Sequence, residues 1–160
     1  MKKIKPKAGQ ESVWDYPRPP RVEPFSKSLR VVFNEVTVAQ SNQSYRVLET
    51  SHPPVYYIPA EHVTMDLIIK SDHNSWCEFK GKASYFHLKV GEKIVHNAGW
   101  FYEQSTFPEL NNCLAFYASR IDACYVDEER VQAQEGDFYG GWITSNIVGP
   151  FKGAPGTWGW

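Results

Sequence analysis

Apolar and polar residues alternate most regularly within Trp76–Val90. Phe86, Leu88 and Val90 fall on one side of the register, and Tyr85, His87 and Lys89 on the other. That period of two predicts a strand with one buried face. Ahead of it, opposite charges flank Gly81, where the backbone is expected to turn or pack closely. Gly91–Glu92 reads as a turn and Lys93–Tyr102 as the returning hairpin partner.

The pattern extends to both sides. Leu29–Gln40 predicts a hairpin, with Val31 and Phe33 on one arm, Val36 and Val38 on the other, and a turn at Asn34–Glu35. Asn suits the positive φ of such a turn, whereas Glu is a poor second residue. Tyr45–Thr50 and Val55–Ile58 read as strands broken by Ser51–Pro54. Met65–Ile69 reads as another strand and Ser71–Ser75 as a loop. Asn111–Ser119 and Ile121–Val126 are further apolar runs. Pro59–His62 and Phe107–Leu110 each suit one helical turn. Many short strands with frequent turn signals predict a mainly β chain. The expected form is a single small antiparallel barrel-like, tent-like or sandwich domain with one or two short helical turns.

The ends differ in character. Residues 1–24 form a basic and Pro-rich arm. Pro17, Pro19 and Pro20 argue against helix in Ser12–Pro24 and for an extended or polyproline path. Trp14 and Tyr16 are costly to leave in water, so Trp14–Pro24 is expected to lie against the β domain, 25–135, with Met1–Gln10 loose. Residues 136–160 are rich in Gly and aromatics. They are expected to wrap the same domain, with their Trp side chains docked in grooves.

Composition narrows the function classes. The chain has 160 residues and a formal net charge of −1, so no basic face for nucleic acid is expected. No apolar run approaches the ~20 residues a membrane helix needs. The basic start lacks the apolar stretch of a secretory signal, which points to the cytoplasm. Cys77, Cys113 and Cys124 are odd in number and lack C-x-x-C spacing, which argues against a disulfide framework or a cysteine zinc site. Cys124, in an apolar run, is expected to be buried packing. His52, His62, His73, His87 and His96 show no ligand spacing, and no metal site is expected.

No phosphate loop, zinc-protease or nucleophile-elbow motif is present. The candidates are single residues. Glu49 ends a strand before a Pro-Pro corner; a carboxylate there serves as a general base if its pKa is raised, although a salt bridge is the commoner role. Cys77 lies beside Lys80 and Lys82, whose charges favour a thiolate. Lys80 suits an anion. Arg120, between Ser119 and Asp122, suits a ligand clamp or, more commonly, a structural ion pair. Tyr56 and Tyr57 must face opposite ways on a strand, and Trp100 and Tyr102 the same way, so some of these rings offer a stacking surface.

The segments VLETSHPPVYYIPAEHV, CEFKGKASYFHLKV and AFYASRIDACYVD resemble the signatures of domain-of-unknown-function family 427, over about Leu29–Val131. The two flanks resemble those of its longer single-domain bacterial members. The resemblance implies a small, mostly antiparallel β domain and no established activity. The family is sometimes labelled nucleotidyltransferase-like, but no D-x-D or E-x-D stands on an apolar strand to hold Mg²⁺. The positions that match best are Glu49, Tyr57, Cys77, Lys80, Gly81, Tyr85, Trp100 and Tyr102. Many members resemble Pro where this chain has Glu78, which suggests a more mobile Cys77 loop here. Together these readings predict a ligand site from Glu49, Tyr57, Cys77, Lys80, Tyr85, Trp100, Tyr102 and Arg120, with Glu49 and Cys77 as catalytic candidates. A small-molecule cleft is the first expectation; a protein-interaction domain using exposed aromatics is the alternative. Neither a reaction, a cofactor nor an oligomeric state follows.

Overall fold

A computed structural model describes residues 1–160. The strands in chain order are β1 (Glu11–Ser12), β2 (Arg21–Phe25), β3 (Leu29–Phe33), β4 (Val36–Ser41), β5 (Ser44–Leu48), β6 (Val55–Pro59) and β7 (Ile68–Cys77). There follow β8 (Gly81–Val90), β9 (Lys93–Tyr102), β10 (Cys113–Phe116), β11 (Ala123–Val126), β12 (Glu129–Arg130), β13 (Gln132–Ala133), β14 (Trp142–Ile143) and β15 (Ile147–Val148). The only helical pieces are four 3-10 turns.

A seven-stranded antiparallel sheet runs in the order β2-β5-β6-β10-β9-β8-β7. A four-stranded sheet, β12-β11-β3-β4, packs on one of its faces. The large sheet does not close, since β2 and β7 remain at opposite edges. The architecture is therefore sandwich-like and not a barrel. Its core lies between the sheets and includes Leu29, Val31, Val38, Phe86, Leu88, Leu114, Phe116 and Cys124. Strand alternation supplies these residues. Phe86, Leu88 and Val90 of β8 enter the core together, as their spacing predicts. Burial pushes the Cys124 thiol up to about 12, as expected of a packing cysteine.

The β3–β4 hairpin turns at Asn34 and Glu35, with φ of 49° and 64°. Two successive left-handed residues match the right-handed twist of the arms. Two expectations around β7 need correction. Met65–Leu67 forms a 3-10 turn, and the strand starts only at Ile68. The polar stretch Ser71–Ser75 is not a free loop but lies inside β7, across a break in register between Lys70 and Asn74. This strand is the sheet's edge, so little of it meets the core and its polar sequence hides it. The N-terminal arm also differs locally. Val13–Asp15 is a 3-10 turn whose Trp14 N–H donates to Ser12 Oγ at 3.2 Å. The chain then becomes β2, where Pro24 is tolerated on an edge strand.

The two chain ends pair and pack against each other. β1 pairs in parallel with β15. Trp14 Nε1 donates to the Pro150 carbonyl at 2.9 Å, and its ring meets that of Trp160 with centroids 5.4 Å apart. Trp142 is fully buried in the sandwich core, whereas Trp158 is 78% exposed. No helix is long and apolar enough to cross a membrane.

Candidate functional site

The second face of the large sheet also carries a buried, aromatic-rich cluster. Tyr56, Phe86 and Phe101 point to the sandwich core, so alternation turns Tyr57, Tyr85, Trp100 and Tyr102 to the opposite side. Register completes the grouping, because Tyr85 stands directly across from Trp100, and Ala83 across from Tyr102. Trp100 has its ring 4.8 Å from Tyr117, 6.3 Å from Tyr57 and 6.4 Å from Tyr85. Tilted and edge-on pairs of this kind contribute about 0.5–1.5 kcal/mol each beyond area burial. Trp100 Nε1 donates to the Tyr57 hydroxyl at 3.2 Å, and the Tyr117 hydroxyl donates to the Phe138 carbonyl at 3.0 Å. Burial raises the phenols of Tyr57, Tyr102 and Tyr117 well above the ordinary tyrosine range. Their hydroxyls therefore stay protonated near neutral pH and serve as neutral hydrogen-bonding groups.

A cleft of about 280 Å³ opens over this aromatic floor. One wall is the corner from Glu49 to Val55, which brings Glu49, His52 and Pro53 to the rim. The facing wall is the β7–β8 turn, with Trp76, Cys77, Phe79 and Lys80. This turn is tied to the following loop. The Lys80 carbonyl accepts from Ser105 Oγ at 2.9 Å, and the Phe79 carbonyl accepts from Thr106 Oγ1. Gly81 follows with φ of 102°, a left-handed conformation that favours glycine. The roof comes from the C-terminal quarter, with Gln134, Phe138–Gly140 and Lys152. A Cβ on Gly140 would overlap the Trp100 ring, so only glycine lets the roof lie directly on the floor.

The polar end of the cleft is closely held. The Glu49 carboxylate pairs with Arg18 at 3.6 Å. Two residues on, the Ser51 carbonyl accepts from the Lys152 N–H at 2.8 Å, which places Lys152 beside the corner. Gln134 fixes the strap that carries it, donating to the Lys152 carbonyl at 2.7 Å and accepting from the Gly141 N–H at 3.1 Å. His52 has Nδ1 3.0 Å from the Thr50 carbonyl and its ring edge-on to Tyr139 at 5.4 Å. Burial holds its imidazole below the ordinary histidine range, against the opposing pull of the Glu49 charge and the Thr50 carbonyl.

Of the residues singled out by sequence, Glu49, Tyr57, Cys77, Lys80, Tyr85, Trp100 and Tyr102 all line this cleft. Arg120 does not. It lies in a neighbouring depression behind Tyr117, with its guanidinium 4.1 Å from that ring. Its donors are used by the Asn97 and Asp137 carbonyls, at 2.6 and 2.8 Å. It is thus a tie between β9 and the roof segment. The ion pair with Asp122 does not form, because the Asp122 carboxylate accepts from the Asn34 N–H at 2.8 Å. Sequence reasoning missed His52, Tyr117 and Lys152. His52 was legible as part of the corner after Glu49, but nothing local marks Lys152 or Tyr117 as neighbours of it.

Residues 21–127, about two thirds of the chain, match a family model described as a domain of unknown function, DUF427. The matched span holds both cleft walls and the whole aromatic floor, whereas Gln134, the Phe138–Gly140 roof and Lys152 lie outside it. No curated protein matches the chain.

Proposed function

The chain belongs to the DUF427 family, and from that premise we propose that it binds a small molecule in the aromatic cleft. The observation that carries this reading is convergence. Residues from six separate segments meet at one concavity, with an aromatic floor and opposite charges at the rim. Ligand sites typically combine apolar walls with a few convergent polar groups, at volumes of ~300 Å³ upwards. A cleft at the lower end of that range suits a flat molecule of one or two rings, entering between the exposed rim aromatics Trp76 and Phe138 and held at its ends by Lys80 and Lys152. Binding is the activity these residues support. Glu49, the first catalytic candidate, is engaged by Arg18, and Cys77 belongs to the opposite wall.

The test is a thermal-shift panel of nucleotides, sugars and aromatic acids. A ligand at about 100 times its Kd stabilises the native state by ~2.7 kcal/mol. For a chain of this size that raises Tm by roughly 5–10 °C. Lys80→Ala, a rim substitution, is expected to reduce the shift without lowering the Tm of the free protein. An identical shift in wild type and the variant would place the ligand elsewhere.

A second reading rests on a different observation. Trp76, Phe138 and Trp158 are 74%, 60% and 78% exposed, and exposed aromatics of this size suit a protein-interaction surface. Trp76 and Phe138 both stand on the cleft rim, where a ligand would also cover them. Fluorescence quenching of Trp76 by a cleft ligand, absent in Trp76→Phe, favours the first reading. Trp158 lies outside the cleft and belongs to the second alone.

A further inference from the structure

His52 is the one ring nitrogen base in the cleft wall, and its surroundings fix which nitrogen carries the proton. A carbonyl oxygen can only accept, so the contact of Nδ1 with the Thr50 carbonyl at 3.0 Å requires a hydrogen on Nδ1. In the neutral ring, Nε2 then holds the lone pair. No protein group hydrogen-bonds to Nε2, and it is not sealed from solvent. The ring cannot easily rotate away. Its backbone N–H donates to the Glu49 carbonyl at 3.0 Å, and Tyr139 packs against it edge-on. The charged and titratable groups around it are Glu49, Lys152 and Arg18, with the Tyr139 phenol alongside. Arg18 is already paired with Glu49, whereas Lys152, whose Nζ lies 5.9 Å from the Tyr139 ring centroid, has no carboxylate partner and can serve a ligand.

We infer that His52 Nε2 accepts a proton from an acidic hydroxyl on a flat ring bound in the cleft, and that Lys152 holds the resulting oxyanion. The ligand class is a phenol or a ring enol. In the step, the ligand O–H bond breaks and the Nε2–H bond forms; the electron pair stays on the ligand oxygen. The imidazolium so formed gains the Glu49 carboxylate as its counter-charge, and the oxyanion gains the Lys152 ammonium. Burial keeps the imidazole neutral when the cleft is empty, and the neighbouring Glu49 charge works against that loss of basicity. The inference rests on the small-molecule reading of the cleft and adds to it the identity of the recognised group.

The probes are 4-nitrophenol and 4-nitroanisole, which share a flat ring and differ in the acidic hydroxyl. The phenol changes colour when it ionises. Wild type is expected to bind the phenol at least about tenfold more tightly than the ether, as a lost hydrogen bond to a charged partner implies. Bound phenol should show the phenolate spectrum at a pH below its own pKa. His52→Gln, which can still donate to the Thr50 carbonyl, should bind the two probes alike and leave the phenol protonated. Lys152→Met should lose the phenolate spectrum too. Equal binding of phenol and ether by wild type, or an unchanged phenolate spectrum in His52→Gln, overturns the inference and leaves the cleft reading standing. If neither probe binds, the inference falls, and the ligand panel alone decides the cleft reading. A ligand-free check is the nitrogen-15 spectrum of the imidazole at neutral pH. A proton on Nδ1 is expected, and a proton on Nε2 instead would overturn the proposal even if the variants failed to fold.

Discussion

The His52 imidazole takes up a proton more readily in the unfolded chain than in the cleft wall, because burial lowers its pKa from the usual 6.5. Around and below that value the unfolded state binds more protons than the native one, so stability rises with pH. The contribution is complete above the unfolded pKa and is lost as the pH falls through the lower, folded one. Glu11 adds a second, more acidic window. Burial opposes its ionisation, but the hydrogen bonds from Arg46 and Tyr16 and the Arg46 charge outweigh it, and its pKa is lowered from 4.5. Sign and cause here are those of any paired carboxylate. Its contribution is present above the unfolded value and lost as the pH falls through the folded one. Urea denaturation across pH 4–8 is expected to show stability declining below about pH 6.5. His52→Gln should flatten that upper limb and leave the acid limb intact. An upper limb of the same slope in His52→Gln would assign it to another group.

At the scale of elements, the site depends on how closely the roof segment approaches β9. The Trp100 ring fills the space where a side chain on residue 140 would stand. Gly140→Ala therefore forces either the ring or the Phe138–Gly141 segment to move. Overpacking of this kind costs about 1–3 kcal/mol, so Tm should fall by roughly 2–10 °C. The Trp fluorescence of the cleft should change with it. Gly159→Ala is the control. No atom lies within 4 Å of a Cβ there, and its effect should stay within about 0.5 kcal/mol. Equal Tm for the two variants would show that the roof is not seated on the floor.

Across the whole molecule, the C-terminal segment both braces the N-terminal arm and completes the cleft. Its last twelve residues include Gly149, whose carbonyl accepts from Ile4 N–H, and Pro150, whose carbonyl accepts from Trp14. They also supply Lys152 to the roof and Trp160 to the Trp14 ring. Each hydrogen bond is worth about 0.5–1.5 kcal/mol net, and ring burial adds to that. Deleting residues 149–160 should lower Tm by at least about 5 °C and weaken any cleft ligand that uses Lys152. Trp158→Ala, at an exposed ring, should do neither. A truncated protein with unchanged Tm would be falsified as a brace and would leave these residues as a free arm.

Sequence by itself determined the strands whose side chains alternate against a core. β3, β11 and the second half of β8 carry buried residues at every second position, and burial on one face writes that period into the chain. The residues it singled out, Glu49, Cys77, Lys80 and Tyr57, Tyr85, Trp100 and Tyr102 of β6, β8 and β9, border one cleft. The edge strand β7 was illegible, because a strand paired on one side and little buried has no apolar period to show. Tertiary structure alone decided that both faces of the large sheet are covered, so that Tyr56 and Tyr57 are each buried on opposite sides. It alone brought Lys152 to within one backbone hydrogen bond of Ser51, 101 positions away, and turned Arg120 from the cleft to the Asn97 and Asp137 carbonyls. Contacts between segments so distant in sequence arise from chain crossing and register, which leave no period in the local pattern of residues.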